Sequence, residues 1–227
     1  MYVPNHFSMS AEQVGELLTG IGAADLITAH ESGLAATFLP FLFDPDGADH
    51  GSLITHVARN NSQARDPVLG EAMVIVHGAE HYVSPRWLPS LAEGGQVVPT
   101  WNYLTVHAYG RLIVHDDPEW TEDAVRRLTA AHETDYSVDQ VPADYIERML
   151  RAIVGIEIQL TRVEAKAKMS QNKRPQDVRG IVDGLRTEAG DGPATLTASW
   201  MERHSVPAAD ARAALLDEIS RTGRRGS

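Results

Sequence analysis

The sequence predicts an α+β fold in which strands form a barrel or a sandwich and helices lie around them. Apolar and polar side chains alternate through Val97–Val114 and again through Ile153–Glu164, which is the period of half-buried strands. Helix starts are marked at Asp117-Pro118, where a capping residue precedes a proline. Strands at short intervals, followed by helical segments toward the C-terminus, favour this class over an all-β protein.

The first elements follow from local signals. Ser10 and Gln13 form a capping box, so we expect a helix over Ser10–Leu18. Two apolar runs, residues 24–29 and 34–39, flank a glycine-containing loop and predict a hairpin. Residues 44–47 (DPDG) predict a turn. Residues 53–57 fit either a strand or a helix, residues 58–67 read as irregular, and residues 73–77 predict a strand.

Later elements alternate between strand and helix. Residues 108–111 (AYGR) predict a tight turn that would divide the long alternating segment into two strands. Helices are expected from Pro118 to about His132, from Pro142 to about Arg151 and from Pro175 to Leu185. After the break at Gly190–Pro193, residues 194–203 and 207–221 predict two more. We therefore expect a main domain over residues 1–190 and a C-terminal helical extension over residues 191–227.

Composition narrows the classes of function. The chain has 227 residues, a net charge of −11, 43% hydrophobic residues and no cysteine. It can bury a core, but it can form no disulfide or thiolate metal site. It contains no apolar run of the roughly 18 residues that a membrane span requires, and its N-terminus does not resemble a signal peptide. We expect a cytoplasmic protein without membrane association.

Common catalytic and binding motifs are missing from the sequence. It contains no Gly-x-Ser-x-Gly elbow, no Walker loop and no Gly-x-Gly-x-x-Gly fingerprint. His77 and His81 are four residues apart, but Gly78 lies between them and no HExxH helix surrounds them, so we expect no bound metal. Net acidity disfavours binding to DNA, although residues 221–227 form a short basic tail.

Three stretches carry groups suited to a planar, phosphorylated ligand. The first, residues 52–61, holds hydroxyl, imidazole, guanidinium and amide groups that could converge on an anion: Thr55, His56, Arg59, Asn60 and Asn61. In the second, Trp101 and Tyr103 share one strand face and Asn102 takes the other, which would suit a flat heterocycle. A polar loop and a half-buried strand, respectively, explain the same residues without a ligand.

The third stretch is basic within an acidic chain. Between Arg162 and Arg174 five basic residues face one acid, a local charge of 5 − 1 = +4 against −11 overall. Lys168 would project from the end of a strand, and three polar residues follow: Ser170, Gln171 and Asn172. A charged edge that discourages strand pairing is the alternative, but it does not account for those polar residues.

In order, these stretches resemble the PaiB-like family of FMN-binding negative transcriptional regulators. The resemblance runs from residue 1 to about Leu185, and the motifs that carry it are Met1-Tyr-Val-Pro-x-x-Phe7, Thr55-His-Val-Ala-Arg-x-Asn61, Tyr82-Val-Ser-Pro-x-Trp87, Val98-Pro-Thr-Trp-Asn-Tyr-x-x-Val-His-Ala-Tyr-Gly110, Ile153-Val-Gly-Ile-Glu-Ile158 and Lys166-x-Lys-Met-Ser-Gln-Asn172. Two features depart from the family. Asn60-Asn61-Ser62 stands where Ala-Asn-Pro is expected, and residues beyond Gly190 match no pattern.

The resemblance implies a split β-barrel like that of pyridoxamine 5′-phosphate oxidases, forming a homodimer with FMN near the subunit interface. The Thr55–Asn61 segment of one chain would then lie near the Lys166–Asn172 segment of the other. The FMN phosphate would be held by two groups of donors: Lys168 with Ser170, and Arg59 with Thr55 and His56. Asn60 would also bind the cofactor. Trp101, Asn102 and Tyr103 would border the isoalloxazine ring, with Gln171 and Asn172 at its polar edge.

Three functions remain open at this level. The first is a flavin-dependent regulator or sensor, whose association with DNA would be weak or indirect because no helix-turn-helix pattern is present. The second is a flavin-dependent oxidoreductase, in which the cofactor carries the redox chemistry. The third is a haem-binding split barrel that uses His107 or His115 as an axial ligand.

Overall fold

A computed structural model describes residues 1–187, 190 and 192–223. Seven strands form one sheet in the order β2-β1-β5-β6-β7-β4-β3, and the α+β class is confirmed. The pairs β1–β2, β1–β5, β3–β4 and β4–β7 are antiparallel. The strands are β1 (Ala23–His30), β2 (Gly33–Pro40), β3 (Leu42–Asp44), β4 (Ser52–Ala58), β5 (Ala72–Val83), β6 (Thr100–His115) and β7 (Ile153–Lys168).

Several strand predictions are confirmed, and others were too short. The predicted hairpin is β1–β2, with His30 paired to Gly33 across the turn. The ambiguous segment 53–57 is the strand β4, because it pairs along its whole length with the start of β7. Residues 73–77 lie within the longer β5. Alternation in β7 buries the predicted face: Val154, Ile156, Ile158 and Leu160.

The predicted turn at residues 108–111 is wrong, since β6 continues without interruption from Thr100 to His115. Gly110 serves another purpose there. A Cβ at this position would lie 2.3 Å from the carbonyl oxygen of Gln159 on the neighbouring strand. The glycine therefore permits a close approach of two backbones and does not mark a change of direction.

Replacing Gly110 with alanine should destabilise the fold. Because the clash is with backbone, the strands must separate, and we expect a loss of about 3 kcal/mol in the free energy of unfolding. Gly15→Ala is the matched control: nothing lies within 4 Å of a Cβ at that position in a helix. It should stabilise by about 0.5–1 kcal/mol. Urea unfolding of both variants tests this, and an unchanged midpoint for Gly110→Ala would contradict it.

Eight α-helices are assigned among the described residues, several with the expected caps. Ser10 and Gln13 form the predicted capping box, and the Asp117 side chain accepts a hydrogen bond from the Glu119 backbone N–H. Residues 58–67 were expected to be irregular but contain a four-residue helix capped by Asn61. The helices are α1 (Ala11–Gly20), α2 (Ser62–Arg65), α3 (Pro89–Ala92), α4 (Pro118–His132), α5 (Ala143–Leu150), α6 (Pro175–Thr187), α7 (Pro193–Trp200) and α8 (Val206–Gly223).

The two C-terminal helices are joined by a rarer element. A π-helical turn, Met201–Ser205, leads directly from α7 into α8. Of the predicted break at residues 190–193, residue 191 lies outside the described residues. Within the described residues, no helix is long and apolar enough to cross a membrane.

The chain divides into two compact units. The first comprises Met1, Ser10–His77 and Val106–Ala165, and its core contains the buried faces of the strands together with Leu18. The second comprises Tyr2–Met9, Gly78–Thr105 and the residues from Lys166 onward. The boundary expected at residue 190 stays a prediction.

Candidate functional site

The second unit holds every lysine of the protein. Lys166, Lys168 and Lys173 are the chain's three lysines and lie within eight residues of one another. The pKa of Lys168 is lowered, first by partial burial and then by the charges of Lys166 and Lys173. The sequence prediction named only Lys168 as a ligand. The confinement of all lysines to one segment was a signal that could have identified the whole cluster.

The lysines differ in their partners from seven of the arginines. Of the described residues, no carboxylate lies within ion-pair distance of the three ammonium groups. Both arginines of the basic stretch, in contrast, have one: Arg162 pairs with Glu164 and Arg174 with Glu93. The same holds for Arg59, Arg126, Arg127, Arg179 and Arg186. The lysine cluster is therefore without an acidic partner among the described residues.

Lys168 is held in a defined position. Its Nζ donates to Thr100 Oγ1 at 2.6 Å and to the carbonyl oxygen of Trp101 at 2.5 Å. An ammonium group has three N–H donors, so one remains for a ligand oxygen. Lys166 donates to the carbonyl oxygen of Tyr2 at 3.2 Å. Both ammonium groups lie near the ring of Tyr103, at 5.7 Å for Lys166 and 5.8 Å for Lys168.

Exposed aromatic rings accompany the lysines. Trp101 is 47% exposed and lies edge-to-face with Tyr82, with the ring centroids 6.2 Å apart. Tyr82 is itself 42% exposed. Two large rings left in contact with solvent offer apolar surface to a planar ligand. Sequence reasoning omitted Tyr82 from the site, although it begins one of the family motifs.

The polar residues near the lysines are used inside the second unit. Asn102, Ser170 and Gln171 are buried, and Ser170 Oγ donates to Asn102 Oδ1 at 2.9 Å. Gln171 Nε2 donates to the carbonyl oxygen of Ala167 at 2.6 Å. Asn172 is exposed. The predicted direct contacts of these four residues with FMN stay predictions, because in this structure the three buried side chains maintain the turn that follows Lys168.

The first unit holds the other predicted anion ligands. Thr55 is buried, and its hydroxyl donates to the carbonyl oxygen of Pro40 at 2.5 Å. His56 Nδ1 is buried without a hydrogen-bond partner, and burial lowers the pKa of this imidazole. A buried nitrogen without a hydrogen-bond partner destabilises the folded state unless a ligand or water molecule forms a hydrogen bond with it. Of Thr55 and His56, the histidine is therefore the side chain with a polar atom left for a ligand.

Arg59 is largely occupied. Its Nε and Nη2 donate to the carbonyl oxygens of Arg151 and Ile153, each at 3.0 Å. Its Nη1 pairs with Asp116 at 2.5 Å. The two bonds to carbonyl oxygens connect the end of β4 to the start of β7. The ion pair with Asp116 neutralises the guanidinium charge that was predicted to bind the FMN phosphate. Asn60 is exposed. Contacts of Arg59 and Asn60 with FMN stay predictions.

The two histidines proposed as haem ligands lie in the first unit. His115 Nε2 is 3.0 Å from Glu157 Oε2, and its ring stacks on Trp120 at 3.9 Å with an interplanar angle of 7°. That nitrogen is therefore engaged. Partial burial is the main cause that lowers the pKa of His107. Among the described residues, no group of three or more His, Cys, Asp or Glu side chains could hold a metal ion.

Comparison with known proteins decides the family. Residues 1–162 match the profile of a family described as "Putative FMN-binding domain". The chain belongs to this family. The protein PAI 2 of Bacillus subtilis, called a protease synthase and sporulation protein, is 26% identical over 193 residues, covering 83% of this chain and 90% of that protein. An uncharacterized protein of Emericella nidulans is 28% identical over 196 residues, covering 69% and 78%. The resemblance to PaiB-like proteins is confirmed.

Two solved structures are similar in fold to this chain. A conserved hypothetical protein of Mycobacterium tuberculosis superposes with a TM-score of 0.55 and 13% identity, covering 76% of this chain and 94% of that chain. The flavocytochrome Anf3 of Azotobacter vinelandii gives a TM-score of 0.50 and 14% identity, covering 70% and 67%. The predicted split-barrel fold is confirmed.

FMN, the cofactor that the sequence predicts for this family member, is confirmed by the family match. The residues of the second unit fit it. Three lysines that have no acidic partner in the described part of the chain suit a phosphate group, and exposed aromatic rings suit a flavin.

Proposed function

We propose that this protein is a flavin-dependent regulator or sensor that holds the FMN phosphate at Lys166, Lys168 and Lys173. The observation that carries the proposal is the lysine cluster itself: all the lysines of an acidic chain lie together without a carboxylate partner among the described residues. A phosphate monoester near neutral pH carries almost two negative charges and has several acceptor oxygens. Partial burial is the main cause that lowers the pKa of Lys168, and a phosphate would relieve the repulsion from Lys166 and Lys173 that lowers it further.

The aromatic residues complete the proposed site. Tyr82, Trp101 and Tyr103 would border the isoalloxazine ring, and the third N–H of Lys168 would donate to a phosphate oxygen. When bound, FMN supplies one- and two-electron redox chemistry. The protein's part is to bind and orient the cofactor, and we propose that occupancy or redox state of the flavin is the signal. A cytoplasmic location remains a prediction.

A homodimer is the proposed assembly, and the first unit offers a surface for it. On the edge strand β2, Leu34 is 81% exposed and Phe38 is 70% exposed. The register places them opposite Ala29 and Asp25 of β1, and Ala36 between them lies opposite Ile27. An apolar strand face of this kind on a sheet edge favours association, and two-fold pairing is the commonest solution.

Spectroscopy separates the proposed function from its alternatives. Titration with FMN should give saturable binding with the absorption bands of a bound flavin. Anaerobic mixing with NADH or NADPH should then leave those bands largely unchanged if the protein is a sensor. Rapid bleaching would instead indicate the oxidoreductase, and a Soret band in the purified protein would indicate haem. The absence of any response to FMN would overturn the proposal.

The proposed function does not require direct binding to DNA. The chain's charge of −11 repels phosphate backbones, and of the tail arginines only Arg221 is described, since Arg224 and Arg225 lie outside the described residues. Any association should be weak and should fall steeply as salt rises. Tight sequence-specific retention at raised salt would show that the regulator acts on DNA directly.

A further inference from the structure

The segment that follows Lys168 has a conformation that its surroundings must enforce. Ser170 has a φ of 61°, in the left-handed region that is unfavourable for residues with a Cβ. The Gln171 side chain forms hydrogen bonds with the backbone at two positions of this part of the chain. Its Oε1 accepts from the backbone N–H of Met169 at 2.8 Å, and its Nε2 donates to the carbonyl oxygen of Ala167. Met169 and Ser170 are both buried.

Two residues of the π-helical turn are connected to this segment, Ser205 directly and Met201 through Asn102. Ser205 Oγ donates to the carbonyl oxygen of Met169 at 2.8 Å. Met201 Sδ accepts from Asn102 Nδ2 at 3.3 Å. Both residues are completely buried. π-helical turns are rare and often occur at functional sites. This one places Ser205 on Met169 and Met201 on Asn102, which is the hydrogen-bond partner of Ser170.

The chemistry of the partners fixes the direction of the second connection. A thioether sulfur accepts hydrogen bonds but cannot donate, so the Asn102 amide must turn its Nδ2 toward Met201. Its Oδ1 then faces Ser170, whose hydroxyl donates to it. Met201, Asn102 and Ser170 therefore form one chain of hydrogen bonds that ends two residues after Lys168.

We propose that Met201 and Ser205 are positioning residues for the FMN phosphate site. They hold Met169 and Ser170 in place, and this fixes the backbone from which Lys168 reaches Thr100 and Trp101. The inference rests on the proposed function, in which Lys168 binds the phosphate. The family profile covers residues 1–162. Met201 and Ser205 lie beyond this range, and the inference assigns them a part in cofactor binding.

The test measures FMN affinity in full-length variants. Ser205→Ala should weaken FMN binding by about three- to tenfold, as expected for the loss of one hydrogen bond. Met201→Leu should have a comparable effect because it keeps the volume but leaves Asn102 Nδ2 without its acceptor. Thr197→Val is the control: this buried threonine in α7 donates its hydroxyl hydrogen bond to the carbonyl oxygen of Pro193, within its own helix. It should bind FMN normally.

A double-mutant cycle distinguishes positioning from general support of the fold. If Ser205 acts through Lys168, the double variant Lys168→Ala, Ser205→Ala should bind FMN no more weakly than Lys168→Ala alone. Additive losses would overturn the inference, as would normal FMN affinity in both Ser205→Ala and Met201→Leu. Normal affinity in Lys168→Ala would instead overturn the proposed phosphate site on which the inference rests. Ser205→Thr, which keeps the hydroxyl, should restore part of the affinity.

Discussion

Lys168→Ala should weaken FMN binding by about tenfold or more, since a charge-assisted hydrogen bond contributes about 1.5–3 kcal/mol. The fold should survive, because Lys168 is only partly buried at the end of β7. Arg179→Ala is the matched control. It removes the same charge from the same unit, but Arg179 already pairs with Asp210 at 2.7 Å. Flavin fluorescence titration compares the two, and equal dissociation constants for wild type and Lys168→Ala would exclude the phosphate assignment.

The same site predicts how affinity varies with pH. If Lys168 holds the phosphate as proposed, FMN binding requires its protonated form, so affinity is retained below the pKa of this group and lost as pH rises through it. Because that pKa is lowered, the loss should begin at a lower pH than for an ordinary lysine. In Lys168→Arg the guanidinium does not titrate in this range, and the alkaline loss should be much smaller. Identical alkaline profiles would assign the titration to another group.

Periodicity predicted the parts of the fold that depend on one strand or helix at a time. The buried face of β7 and the cap of α4 were correctly predicted because local residues determine them. Gly110 was misread because its reason lies on another strand, at the carbonyl of Gln159. A glycine needed for a turn and a glycine needed for a close approach look alike in sequence.

In the candidate site, too, the features that depend on contacts between distant parts of the chain were not predicted from the sequence. The basic stretch was recognised from charge alone, and its three lysines remain the strongest feature of the site. Ser170 and Asn102 were predicted to contact FMN because they are polar and lie beside those lysines or the aromatic residues. In the structure they bond to each other, and Met201, about a hundred residues from Asn102, completes the connection. No spacing rule indicates a partner at that separation.

Phe38→Lys should dissociate the proposed homodimer and weaken FMN binding with it. Phe38 lies on the exposed apolar face of β2, where a charge would be buried on association, so we expect the dimer to weaken by about thirtyfold or more. Lysine is chosen because residue 38 lies directly opposite Asp25 on β1. A lysine opposite this aspartate forms a favourable cross-strand charge pair within one chain. The variant should therefore stay folded, and a loss of dimer would not reflect unfolding.

The coupling between dimer and flavin is the decisive part of this prediction. If Thr55–Asn61 of one chain and Lys166–Asn172 of the other both contribute to each proposed site, a separated chain lacks half the ligands. Binding and dimerisation are then linked, and FMN should shift sedimentation of the wild-type protein toward the dimer. Met149→Lys, at an exposed apolar position on α5, is the control and should leave both properties unchanged. A Phe38→Lys monomer that binds FMN with wild-type affinity would show that one chain builds the complete site, and the lysine cluster would then act without a partner.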